Sequence, residues 1–270
     1  MTPIRRTLVV GAASAFALGA FAAPAFAAED TATVSVLHAV PGVPVDVYAN
    51  GEELIPDFQP GTLTDPLQLP AGSYDLAIYP AGSDPATTQP AASADDVSVP
   101  AGANATIAAH LTPEGTPVLT PYVNDTSPVP AGQARVTVRH TAAAPAVDVR
   151  ANGQVIAPGL TNPGEATVET APGTVSADVV LAGTDTVAIG PADLTLAEGT
   201  STVVYAWGSQ DAGYQLAVQT IEGTHSSPSG VPGGSAGLVD SSVPLPVVGA
   251  TLLGMVVLGL GARRLTAARD

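Results

Sequence analysis

"VSVLHAVPGVPVDVYANG" runs from Val34 to Gly51, and "VTVRHTAAAPAVDVRANG" runs from Val136 to Gly153. The two stretches align without a gap. Val34 meets Val136, His38 meets His140, Asp46 meets Asp148, Asn50 meets Asn152 and Gly51 meets Gly153. A His and an Asp at fixed spacing, present in both, can form a catalytic dyad, part of a metal site or a piece of packing. The doubling bears on architecture, and the choice among the three bears on function.

The correspondence continues outward. "LPAGSYDLAIYPAGSD" (69–84) answers "TAPGTVSADVVLAGTD" (170–185), and "VSVPAGANATIAAHL" (97–111) answers "LTLAEGTSTVVYAWG" (194–208). A period of about 100 residues indicates tandem domains rather than a solenoid of short repeats. The expected copies are 28–132 and 133–222. "TVSVLH", "VDVYAN" and "SYDLAIY" alternate apolar and polar residues with period two, the pattern of half-buried strands. Pro-Ala-Gly recurs at 70–72, 80–82, 100–102 and 130–132, and Asn50-Gly51 and Asn152-Gly153 are hairpin-turn signals. Strands of this length with regular turn signals predict an all-β chain of two tandem antiparallel β-sandwiches, immunoglobulin-like or transthyretin-like.

Strand parity tests the dyad. Val34, Val36 and His38 share one face, whereas Asp46, Tyr48 and Asn50 oppose Val45 and Val47. Residues 34–51 read as the first hairpin of a sandwich: a strand, a loop, a strand and an Asn-Gly turn. That places His38 and Asp46 on opposite sides of its sheet, as it does His140 and Asp148. A dyad needs hydrogen-bond reach, about 3 Å, and so would need a bend in loop 39–44. The reading adopted is that His38, Asp46, Asn50, Gly51, His140, Asp148, Asn152 and Gly153 are structural. The histidines would bond loop backbone and the aspartates backbone amides. One His and one Asp are too few ligands for a transition metal. No catalytic residue, metal ligand or cofactor site is expected.

Other motifs are weaker. Gly233-Gly234-Ser235-Ala236-Gly237 fits G-x-S-x-G but lacks the strand and helix that a nucleophile elbow needs. Asp95-Asp96 and Glu52-Glu53 could attract a divalent cation, but no calcium-loop pattern surrounds them. Asn104-Ala-Thr106 and Asn124-Asp-Thr126 match glycosylation acceptors.

The ends predict export and anchoring. Arg5-Arg6, an apolar run and small residues at Ala25 and Ala27 read as a signal peptide over 1–27. Residues 223–242 are Gly/Ser/Pro-rich and read as a stalk. Residues 243–262 carry no charge and are long enough to span a hydrocarbon core, with Arg263, Arg264 and Arg269 following. That predicts a transmembrane helix, a basic cytoplasmic tail at 263–270 and the body outside. The tail also resembles sortase sorting signals. Leu245-Pro246-Val247-Val248-Gly249 has Val where that motif has Thr, so a retained membrane anchor is favoured over wall attachment.

The chain has no Lys and no Cys. Thiolate chemistry, Schiff bases and Lys–Asn cross-links are therefore excluded. Between the two end segments lie three arginines, Arg135, Arg139 and Arg150, against 23 acidic residues, a net charge of −20. Phosphate backbones and anionic headgroups are excluded as partners of such a body. Divalent cations are compatible with it.

"HAVPGVPVDVYANG" followed by "LPAGSYDLAIYPAGS" resembles a family of exported bacterial domains with a His-Ala, Pro, Val-Asp-Val-Tyr, Asn-Gly signature, catalogued as a domain of unknown function. The first copy matches throughout. In the second, Thr141, Ala146 and Arg150 replace the signature's Ala, Pro and Tyr. The resemblance implies fold and an exported location, and no activity. The composition has an actinobacterial character. The expected function is a non-catalytic cell-surface protein presenting two modules to an extracellular or cell-wall ligand. The alternatives are a secreted hydrolase using His38 or His110 with carboxylates, and a sortase-linked wall protein.

Overall fold

The structure is a computed structural model, and it describes residues 31–225. The expected signal peptide, most of the stalk, the apolar span, the 245–249 motif and Gly233–Gly237 lie outside the described residues. Among the described residues no helix is long and apolar enough to cross a membrane.

The described chain is all-β. Its first half holds β1 (Thr31–Ala39), β2 (Val45–Ala49), β3 (Glu52–Phe58), β4 (Leu67–Pro70), β5 (Gly72–Pro80), β6 (Ala92–Val99), β7 (Asn104–Leu111) and β8 (Pro117–Val123). Its second half holds β9 (Ala134–His140), β10 (Val147–Ala151), β11 (Gln154–Leu160), β12 (Glu165–Thr170), β13 (Gly173–Leu181), β14 (Val187–Leu196), β15 (Ser201–Ser209) and β16 (Gly213–Ile221). The first half forms sheets ordered β4-β1-β7-β8 and β3-β2-β5-β6. The second forms β12-β9-β15-β16 and β11-β10-β13-β14, the same order strand for strand. This is not the immunoglobulin arrangement, in which strands 1, 2, 5 and 4 share one sheet.

Two expectations are corrected. One sheet of each half is mixed rather than antiparallel, because β1 pairs parallel to β7 and β9 parallel to β15, whereas the other sheet is antiparallel throughout. The stretch 34–51 is also not a hairpin. β1 and β2 belong to different sheets, and the loop between them crosses from one layer to the other. The hairpin is β2–β3, turned by Asn50 (φ 53°) and Gly51 (φ 79°), and its counterpart turns at Asn152 (φ 49°) and Gly153 (φ 77°). Two successive positive φ values define the turn whose twist matches paired strands.

Each half has its own core. Val36, Val45, Val47, Phe58 and Ile78 pack together in the first half, beside Val34, Val97, Val99 and Ile107. Val136, Val138, Val147, Val149 and Val204 do so in the second. A further cluster joins the halves. Leu37, Ala39, Ala108 and Tyr122 pack on Val203, Tyr205, Trp207 and Ile221. The central strands β1, β7, β9 and β15 therefore bury both faces, one against their own partner sheet and one against the other half. In β1 every residue from Val34 to Ala39 is buried, on both parities. The folded body also extends beyond residue 222. Thr224 is buried, its hydroxyl donates to Gly199 O at 2.6 Å, and its carbonyl accepts from Val129 N at 2.7 Å.

Candidate functional site

His38 closes β1 and is fully buried. Its Nε2–H donates to Val43 O at 3.2 Å, and Nδ1 accepts from Val40 N at 3.4 Å. His140 does the same at the end of β9, donating to Pro145 O at 3.0 Å and accepting from Ala142 N at 3.4 Å. Both rings thus pin the loop that carries the chain between sheets. Burial outweighs the carbonyl contact in each case and pushes the imidazole pKa below 6.5, so both rings are held neutral.

Asp46 points into backbone on the other side of that crossing. Its carboxylate accepts from Asp57 N and Gly82 N, each at 2.8 Å. Asp148 accepts from Gly159 N at 2.7 Å and Gly183 N at 2.8 Å. All four amides belong to residues with positive φ. Asp57 and Gly159 lie near the ends of β3 and β11, whose registers with β2 and β10 shift along the pairing. Gly82 and Gly183 lie in the turns after β5 and β13. One carboxylate therefore satisfies two amides that no strand ladder can reach. The two amides also hold the Asp148 carboxyl below the usual carboxylate range.

Asn50 donates its amide to Asp75 O at 2.8 Å and accepts from Asp75 N through Oδ1 at 2.9 Å. Asn152 makes the same pair of bonds to Ser176, at 2.7 and 3.1 Å. Both asparagines continue the ladder past the turn while holding left-handed backbone, which Asn tolerates better than most residues. His, Asp and Asn thus each bond their own half's backbone, in both halves, and His38 and Asp46 sit on different sheets.

His110 is buried at the end of β7. Its Nδ1–H donates to Leu111 O at 2.9 Å, and Nε2 accepts from the Thr120 hydroxyl at 2.8 Å. Both nitrogens are occupied and neither meets a carboxylate. Burial again depresses its pKa. Among the described residues no group of three or more His, Asp or Glu is placed to hold a metal ion.

The polar cluster that the motifs did not announce lies between the halves. Arg139, on β9, is 1 % exposed. Its Nε donates to Glu165 at 2.8 Å, and its Nη1 donates to Asn124 Oδ1 at 2.9 Å and to the Tyr205 hydroxyl at 2.8 Å. The guanidinium also lies over the Tyr122 ring, 4.4 Å from its centre. Tyr205 and Thr106 both donate to Gln219 Oε1, at 2.7 and 3.0 Å. Asn124, read from sequence as a glycan acceptor, is buried and donates its side-chain amide to Asn104 and Thr106. In the sequence Arg139 alternates with Val136 and Val138, so it reads as part of a solvated strand face and does not mark this cluster.

The outer sheet of the first half carries a different surface. Tyr48 and Tyr79 meet edge to face at 5.3 Å on β2 and β5. The Tyr48 hydroxyl donates to Glu53 at 3.2 Å. A depression of about 270 Å³ beside them is bordered by Asp75, Pro85, Pro90 and Asp95. The second half has Arg150 and Val180 at the positions of the two tyrosines. Arg150 is held there by Asp178 and Asp185, at 2.5 and 3.1 Å.

No curated protein matches the chain. The model of a family described as "Domain of unknown function (DUF4397)" matches residues 32–150, the whole first half together with β9 and most of β10. The chain contains a domain of this DUF4397 family.

Proposed function

We propose that this protein is a non-catalytic, exported binding protein that presents two copies of one β-sandwich module outside the cell membrane, held by its C-terminal apolar segment. The observation that carries the reading is the fate of the signature. Its His, Asp and Asn side chains are engaged by backbone in both halves, leaving no imidazole nitrogen for proton transfer. The same bonds at the same register support treating the second half as a second copy of the family domain. The strand order supports the transthyretin-like rather than the immunoglobulin-like topology.

The face offered to a ligand is the Tyr48–Tyr79 surface. Paired aromatic rings rimmed by carboxylates suit a sugar face or a basic peptide of the cell envelope. The tests use the full chain. On isolated envelope material, Tyr48→Ser/Tyr79→Ser is expected to lower retention by about tenfold. Unchanged retention would remove this face from the proposal. In cells, detergent and not muramidase is expected to release the chain. Release by muramidase alone would favour the sortase reading, and intact chain in the medium would defeat the anchor. Ester or amide hydrolysis that His38→Gln or His110→Gln abolishes would overturn the non-catalytic reading.

A further inference from the structure

The second half contains a cavity of about 290 Å³ between its two sheets. Its wall is aliphatic: Val138, Val149, Ile156, Val168, Leu194 and Leu196 line it. A second void, about 20 Å³, shares Val138, Val149, Ala177 and Leu194 with it and extends the space further into the core.

Comparison of the halves supplies its cause. Strand pairing equates Leu69 with Thr170, Tyr74 with Val175 and Leu76 with Ala177. In the first half Leu69, Tyr74 and Leu76 pack onto the core beside Val34, Val97 and Val99. The Tyr74 hydroxyl reaches back to Pro70 O at 2.7 Å. In the second half the ring and both isobutyl groups are gone, and Thr170, Val175 and Ala177 border the cavity instead. Leu194 and Leu196, standing where the first half has Val97 and Val99, refill only part of the space. Two sandwiches of one topology thus differ at the same end, one filled from within and one left open.

Unfilled apolar space is costly, because the atoms around it lose their packing partners. A cavity of about 150 Å³ lined by such side chains stays dry and takes up benzene, and this one is about twice that size. It approaches the lower end of ligand pockets, about 300 Å³. That volume admits one aliphatic chain rather than a whole lipid. The rim selects the head group. Asn152 and Thr170 offer neutral hydrogen-bonding groups. The rim carboxylate of Glu169 is already paired with Arg135 at 3.0 Å. A net charge of −20 on the body disfavours a carboxylate head.

We infer that the second half binds a single uncharged aliphatic chain, such as that of a fatty alcohol or ester, between its sheets, at a site the first half has closed with Tyr74 and Leu76. The site does not depend on how the chain is anchored. Loss of surface location leaves it intact, and its own failure leaves the fractionation result intact.

The test is photolabelling of the full chain with a decanol carrying a diazirine in its chain, the adducts mapped by peptide mass spectrometry. Adducts are expected on peptides spanning 168–177 and 194–196, saturable and displaced by unlabelled 1-decanol. Val175→Tyr/Ala177→Leu, which restores the residues of the first half, should cut labelling roughly tenfold or more. Thr170→Leu is the milder variant should the double substitution fail to fold by circular dichroism, and it should also reduce labelling. Labelling that 1-decanol does not displace, or that persists on the same peptides in folded filled variants, would overturn the site. Equal labelling by the corresponding decanoic acid would overturn the choice of an uncharged head.

Discussion

At the His, Asp, Asn and Gly of the signature the two halves are interchangeable; at the faces they turn toward each other they are not. The odd-numbered positions of β1 bring Leu37 and Ala39 to the contact, whereas β9 brings Arg139 to it. His110 closes β7 in the first half, and Trp207 takes its place on β15. Two halves of one strand order thus meet as an asymmetric pair, one side apolar and the other a guanidinium clothed in tyrosines and amides. The contrast separates residues that make the module from residues that make the pair.

The largest effect should come from the pair. Arg139→Met leaves Asn124, Tyr205 and Glu165 without their donor in a buried contact. The expected loss is about 3 kcal/mol, the lower end for breaking a buried ion pair, because Glu165 is 44 % exposed and can rehydrate. Urea unfolding of the full chain measures it. Arg150→Met, on the outer face of the same half, should cost clearly less. Equal losses would mean that the interface is not the more sensitive place.

Acidification should act on both halves together. His38, His110 and His140 are each held neutral by burial, with pKa values below 6.5. The unfolded chain takes up protons near 6.5 that the folded chain refuses. Stability is therefore complete above about pH 6.5 and declines as pH falls through that value toward the folded pKa values. The carboxylates of Asp125, Asp148 and Asp178 are shifted down from 3.8, so their contribution is present above 3.8 and is lost only in stronger acid. Thermal melts from about pH 8 to about pH 5 should show the histidine window alone. His140→Gln, which keeps a donor for Pro145 O, should flatten part of the slope.

The signature itself gives a smaller, paired prediction. Asp46→Asn replaces one carboxylate oxygen by a donor that faces a backbone N–H, at a site 7 % exposed. The expected cost is about 1–3 kcal/mol. Asp148→Asn disrupts the same two bonds at a more exposed site and should cost less, in the same direction. A large loss of ligand retention from Asp46→Asn without loss of stability would break the structural reading of the signature.

The comparison also shows what a sequence can display. Asn-Gly turns and period-two strands were readable because their causes are local: left-handed backbone and alternating burial. The equivalence of His38 with His140 and of Asp46 with Asp148 was readable because both halves carry the side chains that their backbone demands. The crossing at residues 40–44 was not readable. A strand-loop-strand pattern looks alike whether the second strand pairs with the first or joins the opposite sheet. The parallel pairing of β1 with β7 joins residues far apart in the chain and leaves no local mark. The interface left one signal, Leu37 and Ala39 on the supposedly solvated parity of β1. Its counterpart on β9, with Arg135, Thr137 and Arg139, reads as a solvated face. There, burial is made tolerable by partners that come from other strands.

The smallest prediction probes that asymmetry at one contact. Gly61, in the loop before β4, has φ 79°, and a Cβ built on it would stand 2.9 Å from Trp207 Cζ2. Gly61→Ala therefore carries two penalties, left-handed strain and a clash across the interface. Trp207→Phe removes the atoms that cause the clash. It also removes a buried indole N–H that has no hydrogen-bond partner among the described residues, which offsets part of the packing lost with the larger ring. The strain term should survive in the double variant and the clash term should vanish. The double variant should thus be less destabilised than the two single losses combined, by about 0.5–1 kcal/mol of coupling. A double-mutant cycle in urea measures this. Zero coupling would mean that loop 59–64 and β15 do not touch in solution, and would loosen the pair at its edge. The same cycle built on Gly164, the adjoining loop of the second half, should show no coupling to Trp207, because its added Cβ meets Thr161 O and the Leu160 side chain of its own half.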